Sequence, residues 1–179
     1  MDGRVKSIAF AAAFAAIVLG GAFLRLADLS AKPMHGDEAN QAAKTGRLLE
    51  KGEYAYDPFE HHGPTLYYLT LPVLWATGTT SFVASQEWQY RLVPAIFGVL
   101  MIALLWGLRD ALGPPATLWA AALCAASNAL VYYSRYYIQE SLFTCFALAA
   151  IVAGWRYVKA PSAVRAAALC SRAIRAEEP

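Results

Sequence analysis

The stretch from Leu92 to Leu108, LVPAIFGVLMIALLWGL, has 17 residues and no charged side chain. A helix needs about 20 mostly apolar residues to cross the hydrocarbon core of a bilayer, so this stretch and its flanks are long enough to span a membrane. Three more uncharged runs extend from Ile8 to Leu24, from Ala111 to Ser134 and from Ser141 to Trp155. These runs predict an all-α polytopic membrane protein with four transmembrane helices, near residues 8–26, 90–108, 115–133 and 141–158.

The composition excludes several other classes of protein. Hydrophobic residues make up 58% of the 179-residue chain, charged residues only 16%, and the mean hydropathy is +0.38, which argues against a soluble or a disordered chain. Three cysteines are too few for a disulfide scaffold. The net charge is +2 and no run of basic residues occurs, so nucleic acid is not an expected partner.

A fifth uncharged run, from Pro64 to Gly78, is shorter and contains Pro72. It predicts an interfacial or partly inserted helix, because a fifth span would place the basic end of the chain outside the cell. With four spans and a cytoplasmic N-terminus, eight of the fifteen basic residues face the cytoplasm, as the positive-inside rule favours. These eight are Arg4, Lys6, Arg109, Arg156, Lys159, Arg165, Arg172 and Arg175.

This topology places residues 27–89 in a long extracytoplasmic loop and residues 159–179 in a basic cytoplasmic tail. The first span has the alternative interpretation of a cleaved signal peptide, but its uncharged run is longer than a usual signal core and no small-x-small cleavage site closes it. The loop contains eight acidic residues, four basic residues and all three histidines of the chain. It is therefore the expected site of any chemistry.

His35-Gly36-Asp37-Glu38 lies at the start of a predicted helix that extends from Ala39 to Lys51, with one face of small apolar residues, along the membrane surface. One interpretation makes Asp37 the N-cap of this helix, with Glu38 in the first turn. The other makes Asp37 a catalytic carboxylate. The two are compatible, because a carboxylate held at a helix N-terminus stays ionised, as a general base must be.

Glu60-His61-His62-Gly63-Pro64 precedes Tyr67 and Tyr68. Adjacent histidines do not point the same way on a regular element, so no metal site is predicted here. A histidine or tyrosine that donates to a phosphate oxygen is easier to place, and His62, Tyr67 and Tyr68 are candidate substrate-binding residues. The alternative for the tyrosines is an aromatic belt at the lipid headgroups.

Arg91 opens the second span, and Arg135 and Glu140 lie in the turn between the third and fourth spans. All three return to the outer face, where charges that converge on the loop predict an anion site. The alternatives are an interfacial anchor for Arg91 and a simple ion pair between Arg135 and Glu140.

The order of these motifs resembles the GT-C membrane glycosyltransferases, in particular the superfamily of dolichyl-phosphate-mannose protein mannosyltransferases and aminoarabinose transferases. The amino-acid sequence of the loop is most similar to that of the branch associated with flippase activity in archaeal-type protein glycosylation. The matching features are Asp37-Glu38 after a span, a surface helix, Pro64 to Tyr68, Arg91 to Gly98 and Ser134 to Glu140. They cover about residues 8–158 and predict the N-terminal part of a GT-C fold, with one or two juxtamembrane helices in the outer loop.

The resemblance implies an inverting transfer of a sugar from a polyprenyl-phosphate donor to a protein, glycan or lipid acceptor, at the outer side of the inner or plasma membrane. It implies that Asp37 is the catalytic base, that Glu38 supports it and that Glu140 is the second acidic position. Arg91 and His62 would hold the phosphate. It leaves the cofactor open, with a divalent cation as one option.

Members of this superfamily usually have many more spans, so the chain looks like the N-terminal part of such an enzyme, either a fragment or a truncated reading frame, which would be inactive alone. The competing interpretation is a non-catalytic membrane subunit or a small transporter, whose acidic outer loop binds a partner.

Overall fold

The computed structural model describes residues 3–54, 56, 59 and 63–159. In this part of the chain every regular element is a helix, as predicted. The helices are α1 (Gly3–Leu26), α2 (Gly36–Lys51), α3 (Thr65–Ala76), α4 (Glu87–Leu104), α5 (Arg109–Leu112), α6 (Pro114–Ala126), α7 (Asn128–Ser134) and α8 (Glu140–Lys159). A 3-10 turn, Leu105–Leu108, joins α4 to α5.

Three helical segments are long and apolar enough to cross a membrane: α1, α4 with its extension to Leu112, and α8. The pair α6 and α7 meets the same criteria together but is bent by 57°. The structure thus has three spans, or four if the bent pair counts as one, and the prediction of a polytopic all-α membrane protein is confirmed. The uninterrupted helix expected near 115–133 is in fact two helices.

The bent pair, α6 and α7, carries the chain from one end of the helix bundle to the other. Arg135, just after α7, donates from Nη1 to the carbonyl oxygens of Leu24 and Ala27, at 3.0 and 2.6 Å. At the opposite end, the indole N–H of Trp155 in α8 donates to the carboxylate of Asp110 in α5, at 3.3 Å. The end of α7 therefore lies with the end of α1, and the end of α8 lies with α5.

The break between α6 and α7 is stabilised by a buried arginine of α1, Arg25, to which the sequence analysis gave no role. Ser127 has an extended backbone, and its side chain accepts from the N–H of Leu130 to begin α7. Arg25, fully buried in α1, donates to the carbonyl oxygens of Cys124 and Ala125 at 2.9 and 3.0 Å. In an apolar environment these carbonyls would otherwise lack the donors that a continuous helix provides.

Close approach of α1, α4 and α7 depends on glycine at position 98. A Cβ atom added there would lie 2.6 Å from the Cβ of Ser134 and 2.9 Å from Nε of Arg25. Small residues at such crossings let helix backbones approach in a membrane. The absence of a side chain at Gly98 therefore lets Arg25 reach the broken helix.

The two loop helices, α2 and α3, pack over the N-terminal end of α4. Their cluster of buried residues is Ala42, Leu48, Leu66, Tyr67, Leu71, Leu74, Tyr90, Val93, Tyr137 and Leu142. The 12-residue α3 is apolar but too short to span, in line with the interfacial helix expected there. The buried face of α2 includes Glu38, Gln41 and Thr45, whereas Ala39 and Ala43 of the predicted apolar face are exposed.

We predict that Gly98→Ala lowers the free energy of unfolding by about 1–3 kcal/mol, because the added methyl group overpacks the crossing. Gly20→Ala in α1 is the matched control, since nothing lies within 4 Å of its added Cβ, and alanine is the better helix former. Denaturant titration of both variants in detergent measures the difference. Equal stability of the two variants would contradict the close packing at Gly98.

Candidate functional site

The start of α2 is capped by His35, and the prediction of Asp37 as the N-cap is wrong. His35 has an extended backbone, its Nδ1 accepts from the N–H of Asp37 at 3.4 Å, and its own N–H donates to Glu38 at 3.1 Å. This reciprocal arrangement satisfies the first donors of the helix. The carboxylate of Asp37 is left 76% exposed, 3.6 Å from Nδ1 of His35.

Glu38, the next residue, is buried and accepts four hydrogen bonds. Its Oε1 accepts from Nε of Arg91 at 2.7 Å and from the N–H of Tyr137 at 2.9 Å; its Oε2 accepts from Nη2 of Arg91 at 2.8 Å and from the N–H of His35. Burial raises the pKa of Glu38, but these hydrogen bonds outweigh it and hold the pKa below its ordinary value. The carboxylate is ionised with its acceptor capacity filled.

Arg91 uses all five of its N–H donors within the protein. In addition to the bidentate contact with Glu38, Nη1 donates to the carbonyl oxygens of Leu29 and Lys32, at 2.8 and 2.7 Å, and Nη2 donates to that of Pro33 at 3.2 Å. The guanidinium therefore fixes the segment after α1 to the start of α4. It has no donor left for the phosphate contact that the sequence suggested.

A cavity of about 480 Å³ lies beside this ion pair. Its volume is in the range of small-molecule sites. It is lined by Asp28, Leu29, Ala31, Lys32, Pro33, Met34, His35, Glu38, Arg91, Tyr132, Arg135 and Tyr136. The segment after α1, the start of α2, the start of α4 and the end of α7 thus contribute to one site. Asp37 is not part of the lining but is next to His35, which is.

Two cations of the cavity keep unused donors. Arg135 donates to carbonyl oxygens at the end of α1, including that of Asp28 at 3.0 Å, but in the described part of the chain its Nε and one Nη2 hydrogen have no acceptor. The ammonium group of Lys32 has no salt bridge or hydrogen bond to any residue that the structure describes. These groups, rather than Arg91, are available to an anion.

Three other predicted site residues, Tyr67, Tyr68 and Glu140, are not part of the cavity lining. Tyr67 is buried in the core and its hydroxyl donates to Gln41 Oε1, while Tyr68 is about half exposed. Glu140 is exposed at the first residue of α8. His62 lies outside the described residues. Among the described residues, no group of three or more His, Cys, Asp or Glu could hold a metal ion.

Tyr137 connects α2, α3 and Glu38, and the sequence analysis did not identify it as a site residue. Its hydroxyl is within hydrogen-bond distance of Oγ1 of Thr45 in α2, at 2.7 Å, and of Oγ1 of Thr70 in α3, at 2.9 Å. Burial raises the pKa of this phenol far above its ordinary value. The neutral hydroxyl joins α2 to α3, while its backbone N–H holds Glu38. A threonine inside the apolar α3 was the one sequence signal for this network.

We predict that Arg91→Leu lowers the free energy of unfolding by about 3–5 kcal/mol, because it leaves the Glu38 charge buried without its partner. Arg47→Leu, an exposed arginine of α2, is the control and should change stability by no more than about 0.5 kcal/mol. Denaturant titration in detergent measures both. Wild-type stability of Arg91→Leu, together with loss of polyprenyl-phosphate binding, would instead support a direct phosphate contact.

Comparison with known proteins gives one extended match. A family model described as dolichyl-phosphate-mannose-protein mannosyltransferase matches residues 66–171, more than half of the chain. Caveolin-1 from Homo sapiens, Bos taurus and Felis catus is 37% identical over 54 residues, 30% of this chain and 30% of the length of each caveolin. The chain thus spans under a third of these curated relatives, too little to assign a family. No solved structure matches.

Proposed function

The chain belongs to the dolichyl-phosphate-mannose-protein mannosyltransferase family of membrane glycosyltransferases. On this premise we propose that it is an enzyme, or a fragment of one, that transfers a sugar from a polyprenyl-phosphate donor to an extracytoplasmic acceptor, with inversion. The observation that carries the proposal is the pairing of an exposed carboxylate, Asp37, with a cavity whose cations Lys32 and Arg135 have unused donors.

Asp37 acts as the general base in this proposal. An acceptor hydroxyl gives its proton to the carboxylate while its oxygen forms a bond to the anomeric carbon of the sugar. The bond from that carbon to the phosphate oxygen breaks, and the phosphate leaves with the electron pair. Asp37 suits this role because it is exposed and because the helix N-terminus favours a negative charge there. Glu38, whose four hydrogen bonds are internal, holds the helix start in place.

Arg135 and Lys32 bind the phosphate. A guanidinium whose Nε–H and one Nη2 hydrogen are unused can donate to phosphate oxygens, and an ammonium adds a point charge. Both offset the charge that the leaving phosphate gains as the bond to the sugar breaks. His62 remains a candidate for a further donor and Glu140 for the second acidic position of the family.

We predict that Asp37→Asn lowers the rate of sugar transfer by about 10²–10⁴-fold, because the amide cannot take the acceptor proton. The rate is measured with a polyprenyl-phosphate-linked mannose donor in membranes that contain the protein. Glu53→Gln, which neutralises another exposed acid of the same loop, is the matched control and should keep the wild-type rate. Transfer by Asp37→Asn within a few-fold of the control would exclude Asp37 as the base.

We also propose that residues 27–89 face the outside and that the N-terminus and the tail 159–179 face the cytoplasm, since eight basic residues then lie inside. In a cysteine-free variant, a new cysteine at Ser30 should react with an impermeant maleimide in intact cells. A new cysteine at Lys159 should react only after permeabilisation. Labelling of Lys159→Cys in intact cells would contradict this topology.

A further inference from the structure

The rings of Tyr132, Tyr136 and His35 form an aromatic wall in the lining of the cavity, and neither tyrosine takes part in the proposed transfer step. The rings of Tyr132 and Tyr136 are stacked, with centroids 5.5 Å apart and planes 23° from parallel. The ring of His35 continues the wall, 5.8 Å from that of Tyr136. Stacking covers part of the faces of Tyr132 and Tyr136, but Tyr132 is 55% exposed and the side chain of His35 is 67% exposed. The wall therefore offers ring area to a ligand, chiefly from Tyr132 and His35.

Resting on the proposed function, we propose that this aromatic wall, Tyr132, Tyr136 and His35, binds the pyranose ring of the donor sugar. One face of a pyranose presents C–H groups that carry partial positive charge, and the face of an aromatic ring carries partial negative charge. Stacking the two removes apolar area from water on both sides and leaves the sugar hydroxyls at the edges free for hydrogen bonds.

Arg135 and Asp37 both lie close to the wall. Arg135 lies between Tyr132 and Tyr136 in the chain and lines the same cavity. Nδ1 of His35 is 3.6 Å from the carboxylate of Asp37. The anomeric carbon of the donor sugar bears the phosphate, so a donor whose phosphate contacts Arg135 and whose ring packs on the wall would hold this carbon between Arg135 and an acceptor hydroxyl at Asp37. Inversion requires this order, with leaving group and base on opposite sides of the anomeric carbon.

An aromatic belt at the lipid headgroups does not account for these rings. Belt residues present amphipathic rings to the interface and need no cavity. Tyr133, in the same helix, fits that description, since it is exposed, lies outside the cavity lining and is nearly perpendicular to Tyr132, at 83°. Neighbouring tyrosines of α7 thus differ in environment, and Tyr133 provides a matched control.

The test compares two probes on the whole chain in lipid nanodiscs, a C20 polyprenyl phosphate and the same lipid carrying mannose. Tyr132→Leu and Tyr136→Leu should each weaken binding of the mannose lipid by roughly 3- to 10-fold, the usual range for losing one ring contact, and leave the sugar-free lipid unchanged. Tyr132→Phe keeps the ring face and should bind both lipids as the wild type does. Tyr133→Leu should also leave both affinities unchanged.

Equal weakening for both lipids, or no weakening for the mannose lipid, would overturn the aromatic wall. A loss in Tyr132→Phe as large as in Tyr132→Leu would also overturn it, because the hydroxyl and not the ring face would then matter. Failure of the proposed function gives a different result, because the wild-type chain would then bind neither lipid, and the proposed role of the aromatic wall would also be excluded. A wild-type chain that binds both lipids with equal affinity would exclude sugar binding by the wall but not the proposed function.

Discussion

The buried ion pair between Glu38 and Arg91 is the interaction on which the packing of α2 and α3 against the N-terminal end of α4 depends. A buried charge is stable only when its hydrogen-bonding groups are satisfied, and here four acceptor sites and five donors are filled. The partners come from the start of α2, the segment after α1, the start of α4 and the turn after α7. One contact thus joins four parts of the chain that are distant in sequence and fixes the cavity between them.

Because Glu38 and Arg91 pair with each other in the interior, their charges have a structural role, whereas the neighbouring charges of Asp37, Lys32 and Arg135 are available to a substrate. Asp37 and Glu38 are consecutive on a helix, so their side chains point about 100° apart, one toward solvent and the other toward the core. Glu38 neutralises Arg91, and Lys32 and Arg135 remain the cations with unused donors in the cavity. The phosphate site that we propose beside an exposed carboxylate depends on this division. The three carbonyl contacts of Arg135 leave two of its hydrogens unused in the described part of the chain, whereas the five contacts of Arg91 leave none.

Patterns that depend on local sequence predicted the fold well. The uncharged runs at 8–24, 92–108 and 141–155 correspond to α1, α4 and α8, and the shorter run that contains Pro72 corresponds to the 12-residue α3. The order of motifs led to the family that the match later gave. The break at Ser127 was not predictable, because neither proline nor glycine marks it and its stabilising partner, Arg25, is a hundred positions away.

The sequence predicted that the site residues lie close together, but the role of each residue depends on side-chain contacts that spacing along the chain does not reveal. Arg91 and Arg135 look equivalent as arginines at span ends, and only the positions of their acceptors distinguish the saturated guanidinium from the available one.

The most direct measurement of this account is a structure of the protein bound to a C20 polyprenyl phosphate. The account predicts that the phosphate oxygens lie within hydrogen-bond distance of Arg135 and Lys32, inside the cavity, while the two hydrogen bonds between Arg91 and Glu38 remain intact. A phosphate that contacts Arg91 with Glu38 released, or one that lies outside the cavity, would contradict it.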